Sequence, residues 1–342
     1  MPPPRELLER LLERRDLLEA EAEALLLHLT SPDTAPAFAG AVLAALRSKG
    51  VIANEVRGFA RAMRSLARRP EIAPGLRAID IVGTGGDASG SFNISTGTAL
   101  LTAACEVPVV KHGNRSMSSR SGSADVLEAL GLSLPLDAAA AGRCLAATNF
   151  TFLFSPHYHP AMKALAPVRA AMGVRTIFNI LGPLLNPAQP PLHLIGAFSI
   201  DAAKLIAETL AGLQTERAFV IHGAAGWDEP TPIGAFTLFD VRRGQVVVTV
   251  RDPQDYGLAR CSSASLAGGD AAHNARALTA VLYGEDRGAH RDCLVLGAAL
   301  ALEVAGEEQQ MRAAVERAAA AIDNGSARRV LDLVSGFQVK GS

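Results

Sequence analysis

DIVGTGGDASGSFNISTGTA, residues 80–99, reads as a β-run ending at Val82, a glycine-rich turn, and a helix that opens near Asn93. Gly83, Gly85, Gly86 and Gly90 let backbone N–H groups face a ligand without side-chain obstruction. Ser91, Asn93, Ser95 and Thr96 add small polar groups at the helix start, a setting suited to phosphate oxygens. Gly83-x-Gly85-x-x-Ala88 also fits a relaxed dinucleotide fingerprint. Against that reading, Gly90 delays the helix, and the next β-run ends in Lys111-His112 rather than in an acid for a ribose hydroxyl. No Walker A loop occurs.

The same strand–loop–helix texture extends outward. Val107–Val110 precedes a loop and a helix from Ser123; Phe150–Phe154 precedes a helix from Pro160; Leu192–Phe198 precedes a helix from Ala202; Phe219–His222 follows. This alternation predicts an α/β fold with a largely parallel sheet covered by helices and ligands at the strand ends. Phe236–Val241 and Gln245–Val250, separated by RRG, read as a hairpin, and the chain ends in helices. Residues 1 to about 70 carry no strand signal. Leu7, Leu8, Leu11, Leu12, Leu17 and Leu18 recur at helical spacing, a second helix ends at Gly50, and a third spans Asn54–Arg69. This block reads as a separate helical unit.

Lysine plus arginine (33) nearly balance aspartate plus glutamate (34), which opposes general nucleic-acid binding. Cys105, Cys144, Cys261 and Cys293 form no C-x-x-C and no zinc spacing, so they read as small buried thiols. Residues 1–15 lack an apolar leader run, and no stretch reads as a membrane span. The expectation is a soluble cytoplasmic protein.

Three further segments bear on chemistry. VVKHGNRSMSSRSGSADVLEALG, residues 109–131, offers Lys111, Arg115 and Arg120 among serines, as a loop folding over a diphosphate would. Asp228-Glu229 can give hard oxygens to Mg²⁺; such a pair is commonly just solvated, and its weight comes from the two loops. Between Phe152 and Pro187, His157, His159 and Arg169 could line a pocket, and Arg169 could take a carboxylate bidentately. Periodicity alone reads His159 as a helix-capping or core-edge residue. Phe178 to Pro183 reads as a tight turn.

GTGGD (83–87), FNIST (92–96), KHGNR (111–115), GSAD (122–125), RTIFNILGPLLNP (from Arg175) and Asp228-Glu229 together resemble the anthranilate phosphoribosyltransferase family. The resemblance covers nearly the whole chain. It implies transfer of the phosphoribosyl group of phosphoribosyl pyrophosphate (PRPP) to the amino group of anthranilate in tryptophan biosynthesis, with Mg²⁺. It implies a phosphorylase/phosphoribosyltransferase-like fold: a helical domain over 1–70, joined by part of 160–190, and an α/β domain over 76–340. A homodimer through the helical domains is also implied.

By motif position, PRPP would meet Gly83, Gly86, Asp87, Ser91, Asn93, Ile94, Ser95, Thr96, Lys111, His112, Gly113, Asn114, Arg115, Ser116, Met117, Ser118, Ser119 and Ser123. Ser95, Asp228 and Glu229 would hold magnesium. Asn114 and Arg169 would bind anthranilate, with Gly83, His112, His159 and Pro183 bordering its pocket. No nucleophile is implied. Ser91 stands where the family usually has Thr, Ile52-Ala53 replaces more polar residues, Trp227 replaces an aliphatic residue, and Gly297 replaces Asn. A pyrimidine nucleoside phosphorylase of the same architecture, a nucleic-acid-binding relative and a paralogue for substituted anthranilates are the competing readings.

Overall fold

A computed structural model describes residues 1–116 and 120–338. Met117, Ser118 and Ser119, expected at PRPP, lie outside the described residues.

The chain opens with four helices: α1 (Pro4–Leu12), α2 (Glu19–Leu29), α3 (Pro36–Lys49) and α4 (Ala53–Ser65). Prolines at the start of α1 and α3 suit a first helical turn, and Gly50 ends α3 at φ 91°. Helices α2 and α4 touch through Gly58, where a Cβ would lie 2.3 Å from the Glu19 carbonyl oxygen. Leu7, Leu11 and Leu17 of the leucine series are buried together with Leu25, Leu43 and Phe59, whereas Leu8 is half-buried and Leu12 and Leu18 are exposed, so that spacing marks an inner face only in part.

The α/β part begins with β1 (Ile79–Gly83), α5 (Ile94–Ala104), β2 (Val109–Gly113), α6 (Ser123–Ala129), α7 (Ala138–Thr148) and β3 (Phe150–Phe154). Short helix α8 (Ser155–Tyr158), α9 (Met162–Met172) and α10 (Phe178–Leu181) follow, then β4 (Leu192–Gly196), α11 (Ile200–Ala211) and β5 (Arg217–His222). Hairpin β6 (Phe236–Arg242) and β7 (Gln245–Arg251) precedes four C-terminal helices, α12 (Ala271–Leu282), α13 (Ala289–Ala305), α14 (Met311–Asp323) and α15 (Ser326–Ser335). The strands form one seven-stranded sheet in the order β3-β2-β1-β4-β5-β6-β7. All pairs from β3 to β5 are parallel; the two pairs made by the hairpin are antiparallel.

Two cores sandwich this sheet. One packs α5 against β1, β2 and β3 and α13 against β4, β5 and β1. The other joins α1–α4, α9, α10 and α11 to Ile195, Val220 and Phe239. Leu165, Val168, Phe178 and Leu181 thus share a core with the N-terminal helices, although about a hundred residues separate them in the chain.

Two readings of local structure need correction. Strand β2 starts at Val109 rather than Val107 and runs through Lys111-His112 to Gly113, paired with Phe152, Leu153 and Phe154 of β3. The β-run ending in Lys111-His112 therefore holds to within one residue, and the loop read directly after Val110 does not. Residues 178–184 form α10 and a 3-10 turn rather than a bare turn, since Phe178, Ile180, Leu181 and Leu184 all bury their side chains.

Candidate active site at the strand ends

Strands β1 and β4 pair in register, Gly83 opposite Gly196, and Asp228 fills the space their missing side chains leave. A Cβ on Gly83 would lie 2.5 Å from Asp228 Oδ2; one on Gly196 would lie 1.5 Å from the Asp228 carbonyl oxygen. The Asp228 carboxylate accepts the Gly85 N–H at 2.6 Å, and its own N–H donates to Asp87 Oδ2 at 3.2 Å. Gly85 and Gly86 hold φ of +67° and +75°, a backbone state that L side chains adopt at a cost. The glycine loop and the acidic loop therefore bind each other directly.

Glu229 joins from the other side. Its Oε1 accepts the Ser95 N–H at 3.1 Å, near the start of α5, where free amides favour negative charge. Lys111 Nζ donates to the Ile81 carbonyl and, at 3.2 Å, to Ser95 Oγ. The lysine is buried beneath the cleft. Burial lowers its pKa, opposed by Asp80, Glu229 and Asp228. Burial first pushes Asp228 up to about 7, helped by Asp87. Burial and then repulsion from Asp228 push Glu229 up to about 8.

The serine-rich loop is held by Asp125 of the GSAD motif. Its Oδ2 accepts the N–H groups of Ser116 at 3.0 Å and Gly122 at 2.9 Å. The Asn114 carbonyl accepts Ser123 Oγ at 3.2 Å. Gly113 leaves room for that hydroxyl, since a Cβ there would lie 2.3 Å from it. Arg115 pairs with Asp125 and Glu128, so here its charge has carboxylate partners. Asn93 Nδ2 reaches the Ser121 carbonyl at 3.2 Å and thereby joins this loop to the glycine cradle. Ser91 is half-buried and its hydroxyl meets Ser89 Oγ at 3.3 Å. Ile94 and Thr96 bury their side chains, and the Ile94 N–H is taken by the Phe92 carbonyl.

A second group lies across β2. Side chains alternate along a strand, so Lys111 and His112 face opposite sides. His112 meets His159 edge-on at 5.1 Å between ring centroids. Burial pushes His112 down to about 3 and His159 down to about 4, which keeps both rings neutral. Pro183 is buried in the 3-10 turn after α10. Arg169, near the end of α9, stacks on Phe178 at 4.9 Å and is partly desolvated. Asn114, at the mouth of the serine loop, is exposed. His157 stacks on Tyr158 instead.

Sequence reasoning missed two supports. Asp80 Oδ1 accepts the His112 N–H at 3.1 Å and fixes the end of β2. Asn274 of α12 donates to Asn93 Oδ1 at 2.8 Å and accepts the Gly269 N–H at 2.7 Å. Asp80 could have been found as a charge placed inside a strand; Asn274 carries no local signal.

No cluster of three His, Cys, Asp or Glu able to hold a metal occurs among the described residues. Two adjacent carboxylates and the Ser95 hydroxyl form a partial set of hard oxygens. That fits magnesium, which keeps water and substrate phosphates in its remaining positions.

Residues 5–67 match the helical bundle domain of the glycosyl transferase family, and residues 75–328 match its a/b domain. An anthranilate phosphoribosyltransferase of Desulforudis audaxviator is 46% identical over 96% of this chain and 94% of its own length. One from Methylobacterium nodulans is 46% identical over 92% of this chain and 93% of its own. The crystal structure of the Thermus thermophilus enzyme superposes with a TM-score of 0.90 at 37% identity, covering 96% of this chain and 98% of that one. The Saccharomyces cerevisiae enzyme in complex with PRPP and Mg superposes with a TM-score of 0.88 at 25% identity, covering 97% of this chain and 96% of that one. The chain belongs to the anthranilate phosphoribosyltransferases. Its reaction is phosphoribosyl transfer from PRPP to anthranilate, a magnesium-dependent step of tryptophan biosynthesis.

The Gly83–Gly196 gap predicts that Gly196→Ala displaces the Asp228 backbone. We expect a loss of about 1–3 kcal/mol in stability, as overpacking commonly costs, together with loss of magnesium-dependent turnover. An alanine variant with unchanged melting temperature and activity would contradict the gap's role.

Proposed function

We propose that PRPP and magnesium bind on the Lys111 side of β2 and anthranilate on the His112 side, so that the two reacting centres meet over the end of that strand. The observation carrying this reading is the pair of bonds Gly85 N–H to Asp228 and Ser95 N–H to Glu229. They bring the glycine loop, the start of α5 and the acidic pair to one place.

In this reading Ser95, Asp228 and Glu229 hold magnesium, which would neutralise diphosphate charge as the anomeric C–O bond breaks. Gly83, Gly86, Asp87, Ser91, Asn93, Ile94, Ser95 and Thr96 cradle the PRPP. Residues Lys111 through Ser119 and Ser123 complete its binding site. Lys111 acts from below: its amine orients the Ser95 hydroxyl and offsets part of the acidic charge. Arg169 takes the anthranilate carboxylate, beside Asn114, Gly83, His112, His159 and Pro183. Stacking on Phe178 pre-orients the Arg169 guanidinium for a planar anion. The aromatic amine is neutral at physiological pH, so the cleft's task is to align it with the anomeric carbon and exclude water. The neutral imidazoles His112 and His159 add shape without a competing positive charge.

Mixing the protein with PRPP, Mg²⁺ and anthranilate should quench anthranilate fluorescence as product forms. No loss of fluorescence would reject the assignment of these substrates. Asp228→Asn with Glu229→Gln should cut turnover by about a hundredfold or more; full activity would reject the metal site. Magnesium must also displace a proton from this raised pair. Its affinity in the presence of PRPP should therefore strengthen from pH 6 to pH 8.5, and a flat titration would count against these ligands. Arg169→Ala should raise KM for anthranilate by about tenfold to a hundredfold with little change for PRPP; equal weakening of both substrates would remove the carboxylate role.

The helical domain, 1–70 joined by part of 160–190, supports a homodimer. Leu12 and Leu18 flank the turn between α1 and α2 and are 59% and 64% exposed. Buried in a partner's matching surface, they would lose contact with water. Sedimentation should give a dimer, and Leu12→Glu with Leu18→Glu a monomer; a monomeric parent would end this reading. Among the described residues no helix is long and apolar enough to cross a membrane.

A further inference from the structure

Arg175 stands outside both groups of proposed substrate contacts, on the link between α9 and α10. Its Nη2 donates to the Gly86 carbonyl at 2.5 Å. Its guanidinium carbon lies 4.3 Å from the centroid of the Phe198 ring. Phe198 is itself tied to the glycine loop, because its N–H donates to Thr84 Oγ1 at 3.0 Å. The Thr84 N–H in turn donates to the Gly196 carbonyl at 3.0 Å. A Cβ on Gly86 would lie 3.6 Å from Arg175 Nη2, so the side chain rests on the loop rather than merely reaching it.

The other end of Arg175 belongs to the helical side. Its backbone carbonyl accepts a hydrogen bond from Arg47 of α3. The next residue but two, Phe178, carries the stacked Arg169 guanidinium and is buried with Phe59 of α4. Between Arg169 and Arg175 the backbone turns at Gly173, φ +61°, which ends α9 and interrupts any rigid helical connection. A planar guanidinium can lie flat on a ring while its edge N–H groups donate to a carbonyl; an ammonium has no plane to stack and does not reproduce that geometry.

We propose that Arg175 is a positioning residue that latches the anthranilate wall of the cleft to the PRPP loop. It sets the separation between Arg169 and the Gly83–Asp87 cradle, so the two substrates are held at a defined distance. This inference rests on the transferase reading, and its test has one arm that does not.

The first arm is amide hydrogen exchange across residues 84–90 in the substrate-free protein, comparing the parent with Arg175→Ala, Arg175→Lys and Phe198→Leu. Arg175→Ala should speed loop exchange by about fivefold or more, and the other two variants by less. The second arm is steady-state kinetics. Arg175→Ala should raise KM for both substrates by about fivefold to tenfold, with Arg175→Lys in between and the melting temperature within about 2 °C of the parent. Unchanged loop exchange overturns the latch. So does a rise in the PRPP constant alone, which would make Arg175 a direct PRPP contact, or full recovery with lysine, which would make charge alone sufficient. A parent protein that forms no product with anthranilate would defeat the transferase reading, while loop exchange would still decide the latch.

Discussion

Asp228 sits against the ends of two parallel strands, a place that almost any other pair of strand residues would close. Its carbonyl and carboxylate occupy the volume of the side chains that Gly83 and Gly196 lack. Strand pairing sets the two glycines side by side, so the gap is a property of the sheet and not of a mobile loop. Once Asp228 is seated, its carboxylate pins Gly85 and its N–H engages Asp87. Glu229 follows by one residue and meets the start of α5. The shape of the glycine cradle is thus inherited from one close approach in the sheet.

That approach crowds like charges. Asp80, Asp228 and Glu229 all face the single amine of Lys111. Two unit charges about 4 Å apart interact by about 4 kcal/mol at an effective dielectric constant of 20, so an uncompensated excess of negative charge is costly. Burial and mutual repulsion raise the pKa of both Asp228 and Glu229, which favours the protonated forms and is one response to that crowding. A divalent cation held by the pair, as proposed, would be the other. Two carboxylates and one hydroxyl are few protein oxygens, which fits a cation that keeps water or substrate oxygens in its other positions.

How much of this was legible depended on whether the signal was local. Phe150–Phe154 was readable as a strand because β-branched and aromatic residues stand together, and Gly50 ended its helix as a C-terminal glycine should. The end of β2 was readable only in part, as a β-run reaching Lys111-His112 or as one that stops at Val110. Lys111-His112-Gly113 looks like loop chemistry, yet pairing with β3 carries it into the sheet and buries the lysine. Arg115 invited a role toward phosphate from its composition alone, while its pairing with Asp125 and Glu128 depends on a helix that folds back beside it. The short helix α10 is stabilised by burial against the N-terminal helices, a tertiary effect with no mark in residues 178–181. Asn274 and Arg175 illustrate the limit most clearly. Each touches the glycine cradle across a long stretch of chain, and only the assembled fold puts them there.

The extension of β2 also bears on the chemistry. Adjacent strand residues point to opposite faces, and Lys111 and His112 are adjacent. The buried amine that supports Ser95 and the imidazole that meets His159 are therefore separated by one peptide unit, anchored by the Asp80 carboxylate on the His112 N–H. A reaction that joins two bound molecules and needs no protein nucleophile gains chiefly from holding them in line. A strand buried on both faces is among the stiffest references a protein can offer. The cradle hangs from one side of it, and the Arg169 wall must be brought to the other. Because that wall is carried by a connection broken at Gly173, its placement requires a tie across the cleft, and Arg175 on the Gly86 carbonyl is the contact in a position to supply it.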